Sequence, residues 1–289
     1  MRLLISGCGY VGTALGLLLA SEDHTVFGLR RNTSVLPPEI HPIEADFSMS
    51  LPPGALPGGL DAVVHTASPG GFNDESYKNA YVEGPRNLLS ALASRNTLRR
   101  FVLVSSTGVY GQKDGEWVNE GSPTEPGNPS GRRLLEGESL VLGGPVPAVV
   151  LRLGGIYGPG RTGAIERALR EQPCEVDPPR YTNRIHRDDC AGALRHLLLL
   201  QDPDLIYLGV DHEPATRRTV AEWLASRLDQ PRSNVEFPQP AAQTYTKNAP
   251  RSRTNKRCSN TRLAASGYRF RYPTFREGFT ALLHQRGTP

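Results

Sequence analysis

The sequence lacks long hydrophobic runs, since no stretch of 18 or more apolar residues occurs in a chain of 289 residues that is 38% hydrophobic. A membrane-spanning helix needs about 20 apolar residues. The chain starts with a short apolar stretch that leads directly into a glycine-rich turn. A secretory signal peptide instead has a longer apolar core and a cleavage site. We therefore expect a globular cytoplasmic protein that does not bind a membrane.

Cysteine is scarce and irregularly spaced. The four cysteines are Cys8, Cys174, Cys190 and Cys258. They show neither Cys-x-x-Cys spacing nor nearby paired histidines, which structural zinc sites and redox motifs require. We expect isolated reduced thiols and no metal site.

A strong excess of positive charge is also missing, because the formal net charge is only +4. The basic residues are spread from Arg30 to Arg286, with one local cluster at 251–257. The only lysines are Lys78, Lys113, Lys247 and Lys256. A nucleic-acid-binding surface usually concentrates its basic residues, so we expect a solvated surface and no nucleic-acid partner.

Apolar runs rich in valine, isoleucine and leucine alternate with helical patterns through about residue 150. This alternation is typical of βαβ units and predicts an α/β fold with a parallel sheet. The predicted strands are Arg2–Ser6, Thr25–Arg30, one near Ile43–Ala45, Ala62–Thr66, Phe101–Ser105 and Ala148–Arg152. The predicted helices include one after the first glycine turn, Tyr77–Ala93, Ser130–Leu142, Asp189–Leu200 and Thr219–Leu228.

The composition changes after residue 155, where proline- and glycine-rich connections become frequent. We predict a dinucleotide-binding domain over residues 1–154, to which residues 185–210 return. Residues 155–184 and 211–289 form a smaller, loop-rich lobe in this interpretation.

A glycine turn follows the first predicted strand and opens a predicted helix, in the order Gly7-Cys8-Gly9-Tyr10-Val11-Gly12. Gly7 permits the tight turn, and Gly9 lets the backbone approach a pyrophosphate. Gly12 lets the helix pack close to the strand, so that its N-terminal N–H groups point at the anion. The turn predicts a dinucleotide site, and the alternative is an ordinary glycine-rich loop.

The cofactor type depends on the end of the second strand. An acidic residue there would bind a free ribose 2′-hydroxyl, but the sequence has Arg30 and Arg31, which suit a 2′-phosphate. We favour NADP over NAD, and the alternative is two solvated arginines. Asp46, followed by Phe47, could accept a hydrogen bond from the adenine amino group or could simply stabilise a turn.

Further motifs follow the glycine turn and Asp46. They are His65-Thr66-Ala67, Val82-Glu83-Gly84 with Asn87, Val104 through Ser106 to Gly111, Leu151 through Tyr157 to Gly160, and Arg184 through His186 to Asp189. In this order they resemble the extended short-chain dehydrogenases/reductases, specifically atypical members of the NAD-dependent epimerase/dehydratase family. The resemblance covers nearly the whole length, to Gly267-Tyr268 and Pro273–Gly278.

The resemblance implies a Rossmann-type doubly wound parallel sheet with a smaller C-terminal substrate lobe. It also implies a catalytic Ser/Thr, Tyr and Lys that act at a nicotinamide ring, where the tyrosine is the general acid/base and the lysine lowers its pKa. Thr66 and Ala67 fall on the cofactor-binding block, and the serine role falls on Ser106. The alternative for Ser106 is a strand-end serine that holds a turn.

Four residues fall where the resemblance implies substrate binding, namely Tyr157, Arg161, Arg184 and His186. Arg161 and Arg184 flank the expected cleft, where either could bind a phosphate or carboxylate or lie on the surface. For the block around His186, the alternative is an aspartate N-cap at Asp188 or Asp189, with His186 packed at the junction of the lobes.

The expected Tyr-x-x-x-Lys pair is missing. The family frame places Ser130 at the tyrosine position and Leu134 at the lysine position, four residues apart on one helical face. Serine alone cannot replace a phenol as a proton donor, and leucine has neither charge nor donor. Tyr81, Tyr110 and Tyr157 are the alternative acids, whereas Arg132 or Arg133 could only bind an anion or ribose.

Three functions stay open at this point. We favour an NADP-binding enzyme of the epimerase/dehydratase type that acts on a small polar substrate, by analogy a nucleotide sugar, through Ser106 and an unidentified partner. The alternatives are a non-catalytic NADP-responsive regulatory or scaffold protein and a non-redox lyase or isomerase. Either a monomer or a homodimer is compatible with the sequence.

Overall fold

The computed structural model describes residues 1–93, 98–170, 180–228 and 254–285. Within these ranges the strands are β1 Arg2–Ser6, β2 Thr25–Arg30, β3 His41–Glu44, β4 Ala62–His65, β5 Arg100–Ser106, β6 Glu116–Val118, β7 Ala148–Leu153, β8 Gly155–Tyr157, β9 Tyr181–Thr182, β10 Arg184–His186, β11 Ile206–Gly209, β12 Ala215–Thr216 and β13 Lys256–Cys258. The α-helices are α1 Tyr10–Ala20, α2 Asp74–Lys78, α3 Gly84–Leu92, α4 Pro129–Leu142, α5 Gly163–Leu169, α6 Arg187–Leu199, α7 Arg217–Arg227, α8 Thr261–Ala265 and α9 Phe275–Gln285. No helix in the described part of the chain is long and apolar enough to cross a membrane.

The central sheet has seven strands in the order β11-β7-β5-β4-β1-β2-β3, and every neighbouring pair is parallel. The chain winds outward from β1 in one direction and from β4 in the other, which makes the sheet doubly wound. The predicted fold class is therefore confirmed. The short strand expected near Ile43–Ala45 is β3, on the edge of the sheet.

Both faces of the sheet are covered by helices. Leu3 and Ile5 of β1 pack into a core that includes residues of α1 and α6, whereas Leu4 faces a second core that includes residues of α3 and α4. This alternation follows from the two-residue period of a strand. Because both faces are buried, the strands have nearly continuous apolar sequences. The carboxyl ends of the strands remain as the edge where a ligand can bind.

The segments between and after the main strands form three two-stranded sheets, β6 with β13, β8 with β10 and β9 with β12. A separate core that includes Tyr157, Ile165, Leu224 and Phe279 joins α5, α7 and α9. In contrast, β11 extends the main sheet beyond β7, and α6 packs against α1. The exact division into two domains stays a prediction.

Two local predictions differ from the structure. Residues 77–93 do not form one regular helix, because a π-helical segment at Asn79–Glu83 separates α2 from α3. Neither Asp188 nor Asp189 caps α6, because His186 is the N-cap and its Nδ1 accepts from the Asp188 N–H at 3.1 Å. Asp189 is instead buried, where it accepts hydrogen bonds from the Tyr268 hydroxyl and from two backbone N–H groups of the C-terminal segment.

Some sequence features fall outside the described residues, among them Cys174, Lys247 and the basic residues 251–253. The other three cysteines, Cys8, Cys190 and Cys258, are buried free thiols. Burial raises the pKa of Cys8 to about 11, so this thiol is neutral near pH 7. A reactive thiolate is therefore not expected beside the glycine turn.

Candidate active site

In the glycine turn between β1 and α1, two of the glycines are required because a Cβ would collide with neighbouring protein atoms. Gly7 has a φ of +73°, and a Cβ there would lie 2.5 Å from the Ala67 Cα. A Cβ at Gly12 would lie 2.7 Å from Thr66 Oγ1. Thr66 also donates to the Gly7 carbonyl oxygen at 3.0 Å. Thr66 and Ala67, at the end of β4, therefore fix the shape of the turn.

Gly9 differs from its two neighbours, because a Cβ at this position would meet only the Gly7 carbonyl oxygen, at 3.6 Å. Gly9 is also the N-cap of α1, where no side chain bonds the helix N–H groups and the first turn carries no acidic residue. The first N–H groups of a helix have no intrahelical partner and favour an anion. The space in front of Gly9 is thus a cradle that a side chain would fill and a phosphate fits.

The second strand brings a cation to the same turn. The Arg30 guanidinium donates from Nη1 to the Cys8 carbonyl oxygen at 3.0 Å, while Arg31 is exposed. Asp46 accepts from the Ser48 hydroxyl and N–H, at 2.7 and 2.9 Å, and this bonding holds the pKa of Asp46 below its usual value. Phe47 packs edge-on against His65. Of the residues predicted for the adenosine end of a dinucleotide, Arg30 contacts the glycine turn, whereas Asp46 stabilises a local turn with Ser48.

Tyr10 links the glycine turn to the loop after β8. Its hydroxyl donates to the Pro159 carbonyl oxygen at 2.8 Å, and Arg161 lies over its ring at 4.2 Å. Arg187 lies over the same ring at 5.4 Å. Arg161, which the sequence assigned to the substrate, is thus exposed beside the predicted phosphate cradle.

The other residues predicted to bind substrate lie on β8 and β10, where His186 pairs with Tyr157. Arg184 donates to the Thr182 and Ala215 carbonyl oxygens, each at 3.3 Å. Tyr157 and His186 are only 5% and 2% exposed, and their rings are in edge contact at 5.3 Å. The Tyr157 hydroxyl and His186 Nε2 have no hydrogen-bond partner in the described part of the protein. Three of the four residues therefore lie on one small sheet, and Gly158, which directly follows Tyr157, forms a β-bridge with Arg161.

Ser106 lies at the end of β5 and caps the 3-10 turn Thr107–Val109. Its Oγ accepts from the Gly108 N–H at 3.1 Å, and the residue is half-buried. The hydroxyl thus has the turn-holding bond that sequence reasoning offered as the alternative. This bond uses Oγ as an acceptor, which leaves its proton able to bond a ligand oxygen.

Ser130 and Leu134, the two positions on α4 where the family frame has tyrosine and lysine, both make contacts within the protein. Ser130 donates to the side-chain oxygen of Asn128, the N-cap of α4, at 2.7 Å. Leu134 is only 3% exposed and belongs to an apolar cluster that also contains Val109, Tyr110 and Cys258. The side chain at position 134 is therefore part of the apolar core, whereas the family frame has a lysine at this position.

None of the three alternative tyrosines has the lowered pKa that a proton donor near neutral pH requires. Burial raises the pKa of Tyr110 to about 12, and it also raises the pKa values of Tyr81 and Tyr157. The Tyr110 hydroxyl is already occupied, since it donates to the Asn119 carbonyl oxygen and accepts from Arg152. These raised pKa values do not favour any of the three tyrosines as a proton donor near neutral pH.

A lysine from the C-terminal segment reaches the same turn. Lys256 of β13 is 6% exposed, and its Nζ donates to the Tyr110 carbonyl oxygen at 3.2 Å and to Thr254 Oγ1 at 3.0 Å. Burial lowers its pKa. The sequence pattern did not indicate this position, because Lys256 is far from the catalytic blocks along the chain and only the pairing of β13 with β6 brings it there.

Sequence reasoning also missed a buried polar network behind the turn. Glu138 of α4 accepts from the Ser105 hydroxyl at 2.5 Å and from Arg152 Nη2 at 2.7 Å, and Arg152 in turn donates to the Tyr110 hydroxyl at 2.7 Å. Both charged groups are almost fully buried. The network fixes α4 against β5 and β7 and so fixes the position of the replaced pair.

Comparisons with known proteins agree with this geometry. The model of the NAD dependent epimerase/dehydratase family matches residues 3–198. The uncharacterized UDP-glucose epimerase YtcB of Bacillus subtilis is 27% identical over 253 residues, which are 76% of this chain and 79% of that protein. A putative NAD-dependent epimerase/dehydratase from Methylobacillus flagellatus is 34% identical with a TM-score of 0.80, covering 99% of this chain and 98% of its own. MoeE5 in complex with UDP-glucuronic acid and NAD has the same TM-score at 21% identity, covering 99% of this chain and all of its own, which shows a shared fold.

Proposed function

Because the chain belongs to the NAD-dependent epimerase/dehydratase family, we propose that it is a nicotinamide-dependent enzyme that transfers hydride to and from a small polar substrate. Its active site operates without the usual Tyr-x-x-x-Lys pair, since Ser130 and Leu134 stand in those positions. The family depends on a nicotinamide cofactor. The hydride step and the identity of the substrate are our proposals.

The observation that carries this proposal is the open cradle at Gly9. Gly7 and Gly12 are required by contacts within the protein, whereas a side chain at Gly9 would meet no protein atom closer than 3.6 Å. A glycine that the protein itself does not need is explained by a ligand that approaches the backbone closely. The uncapped N-terminus of α1 and the guanidinium of Arg161 fit the negative charge of a pyrophosphate at this place.

Arg30 supports NADP as the preferred cofactor. Its guanidinium lies at the end of β2 beside the glycine turn, where an acidic residue would serve a free ribose 2′-hydroxyl. When bound, the nicotinamide ring supplies a hydride donor or acceptor. The cradle at Gly9 and the Arg161 guanidinium would hold the phosphates, and Ser106 would position the substrate oxygen.

Ser106 is the residue we assign to the substrate oxygen. It ends β5 at the carboxyl edge of the sheet, and its hydroxyl proton is not used in the bond with Gly108. A nucleotide sugar is the substrate class we propose, because YtcB is named a UDP-glucose epimerase and MoeE5 is described with UDP-glucuronic acid. A sugar hydroxyl or carbonyl would receive the hydrogen bond of Ser106.

Cofactor binding is tested by comparing Gly9→Ala with Gly12→Ala. We expect Gly9→Ala to retain the thermal stability of the wild type and to weaken NADP binding about tenfold or more, because its methyl group enters only the cradle. Gly12→Ala, the matched control, should lower the thermal stability because its methyl group meets Thr66 and Ile5. Calorimetric titration with NADP and thermal unfolding measure the two effects. Unchanged NADP affinity in Gly9→Ala would refute the cradle.

The substrate is sought by incubating the wild type with UDP-glucose, UDP-glucuronic acid and a dTDP-hexose in the presence of NADP or NAD. Absorbance of reduced nicotinamide reports net oxidation, and chromatography of the sugar products reports epimerisation or dehydration without net redox change. We expect at least one of these nucleotide sugars to react. Absence of reaction with all of them would remove the proposed substrate class.

A non-catalytic, dinucleotide-responsive protein is the second candidate, and the α4 contacts favour it. Ser130 bonds to the helix cap and Leu134 packs in an apolar cluster, so neither faces a substrate as a reactive group. Cofactor binding without turnover of any nucleotide sugar would support this candidate.

A further inference from the structure

Tyr10, the first residue of α1, holds the turn that follows β8 against the glycine turn. Its hydroxyl donates to the Pro159 carbonyl oxygen at 2.8 Å, although the two residues are 149 positions apart in the chain. A Cβ at Gly158, whose φ is +147°, would lie only 2.9 Å from this hydroxyl. Glycine at position 158 therefore lets the Tyr10 side chain reach the turn.

The turn after β8 carries a guanidinium to the same place. The Arg161 N–H donates to the Gly158 carbonyl oxygen at 2.9 Å, and these two residues form a β-bridge that closes the turn. The guanidinium carbon of Arg161 lies 4.2 Å from the centre of the Tyr10 ring. Because Tyr10 directly follows Gly9, two sources of positive charge, the N-terminus of α1 and Arg161, meet beside the open cradle.

The charge of Arg161 is available to an anion. Its side chain is exposed, and it forms no ion pair within the part of the chain that the structure describes. Arg187 lies over the same Tyr10 ring at 5.4 Å, but its Nε and Nη2 donate to the Asp188 carboxylate at 3.0 and 2.9 Å. Hydrogen bonds between a guanidinium and a phosphate are strong when the donors and the charge are not already used. Arg161 rather than Arg187 is therefore the cation that suits a phosphate here.

The contact with Tyr10 also restricts an otherwise mobile side chain. A free arginine side chain populates many rotamers, and the loss of these rotamers on binding opposes the binding of a ligand. A guanidinium that already rests on an aromatic ring loses less of this freedom, and the attraction between cation and ring stabilises that geometry. The hydroxyl of Tyr10 fixes the turn and its ring fixes the guanidinium, so both contacts act on Arg161.

Resting on the function proposed above, we propose that Tyr10 is a positioning residue for the cofactor. It holds the turn after β8 beside Gly9, so that the Arg161 guanidinium binds the pyrophosphate of a nicotinamide dinucleotide together with the N-terminus of α1. The pyrophosphate would then be bound jointly by the glycine turn and by the turn after β8.

A double-mutant cycle on cofactor affinity tests the role of Tyr10. Arg161→Gln removes the charge, Tyr10→Leu removes both contacts of the tyrosine, and Tyr10→Phe removes only the bond to Pro159. Calorimetric titration with NADP and with NAD identifies the cofactor that the wild type binds more tightly, and this cofactor is used for all variants. Thermal unfolding reports whether each variant is folded, and Tyr10→Phe, which keeps the ring, completes the cycle if Tyr10→Leu does not fold.

We expect Arg161→Gln to weaken cofactor binding about tenfold, Tyr10→Leu about fivefold and Tyr10→Phe about threefold. In the Arg161→Gln background, either substitution of Tyr10 should cost less than about twofold, because Tyr10 acts through Arg161. Arg187→Gln is the matched control and should change the affinity less than about twofold, since the charge of Arg187 is already paired with Asp188.

Three results would overturn the inference while cofactor binding, and with it the proposed function, still stands. One is an unchanged affinity of Arg161→Gln. Another is an effect of the Tyr10 substitutions that is undiminished in the Arg161→Gln background, which would assign Tyr10 to the shape of the glycine turn alone. The third is a loss in Arg187→Gln as large as that in Arg161→Gln. If neither NADP nor NAD binds the wild-type protein, the proposed function fails and this inference fails with it.

Discussion

At the scale of single residues, Ser130 and Leu134 of α4 both contribute to the stability of the fold. Ser130 stabilises the start of α4 through Asn128, and Leu134 fills an apolar cluster beside the turn after β5. Serine favours helix starts and leucine favours buried positions, so both side chains fit their present surroundings. A mechanism for this site therefore has to use groups from other elements.

Arg30 is the residue on which we base the predicted preference for NADP over NAD. We expect Arg30→Asp to weaken NADP binding about tenfold or more and to leave NAD binding equal or stronger, because the carboxylate repels a 2′-phosphate and accepts from a 2′-hydroxyl. Calorimetric titration with each cofactor measures both affinities.

Arg30→Gln is the matched control for this substitution. Its amide can still donate to the Cys8 carbonyl oxygen that Arg30 bonds at 3.0 Å, so the glycine turn should keep its shape while the charge is lost. If Arg30→Asp leaves both affinities unchanged, the 2′-phosphate site is elsewhere.

At the scale of elements, α4 is held by contacts spread along its length. Asn128 caps the first turn, Leu134 packs on the turn after β5, and Glu138 forms the buried ion pair with Arg152 of β7. A side chain at Gly137 would collide with the Tyr81 carbonyl of the π-helical segment. An internal glycine lowers the stability of a helix, but Gly137 permits the close packing of α4 on this segment.

Restoring the family lysine by Leu134→Lys should destabilise the protein. The ammonium would replace a leucine that is 3% exposed, so we expect the free energy of unfolding to fall by about 3 kcal/mol or more. Urea unfolding measures the change. Ser139→Lys, at an exposed position of the same helix, is the control and should change the stability by less than about 0.5 kcal/mol. If Leu134→Lys were as stable as the wild type, the side chain at position 134 would have access to solvent, and its assignment to the apolar cluster would be wrong.

At the scale of the whole molecule, buried titratable groups set the pH range of stability. His65 is fully buried between Ser6 and the Ala80 carbonyl oxygen, and burial lowers its pKa to about 4. Burial also lowers the pKa of His186 to about 4 and raises that of Asp211 to about 8. The two histidines stabilise the fold fully above their ordinary pKa of 6.5 and lose this contribution as the pH falls to about 4. Asp211 acts oppositely, since its contribution is present at low pH and is lost as the pH rises through about 8.

The free energy of unfolding should therefore be largest near pH 6.5. Among these three groups, the two histidines outweigh the one aspartic acid below this value, and above it Asp211 lowers the stability by about 1.4 kcal/mol per pH unit up to about pH 8. Urea unfolding at several pH values measures the curve. Asp211→Asn can still accept the Glu213 N–H bond and should remove the decline above pH 6.5. Persistence of the decline in that variant would assign it to another group.

Much of the fold could be predicted from the sequence because its signals are local. Alternating apolar runs marked β1 and β2 with their observed bounds, and glycine spacing marked the turn before α1. The interpretation of Asp188 or Asp189 as the N-cap of α6 was wrong. Asp189 instead accepts hydrogen bonds from Tyr268 and from the backbone of the C-terminal segment. These hydrogen bonds join residues about 80 positions apart, so no local sequence pattern indicates them.

The sequence by itself determined the parallel sheet and the glycine turn before α1, because each depends on residue type at short spacing. Only the tertiary structure decided which side chains meet at the carboxyl edge. It placed Arg161 on Tyr10 beside the turn, paired His186 with Tyr157, and brought Lys256 to the carbonyl oxygen of Tyr110 across 146 residues of chain. Such meetings depend on strand pairing and on the packing of the lobe, which local sequence patterns do not specify.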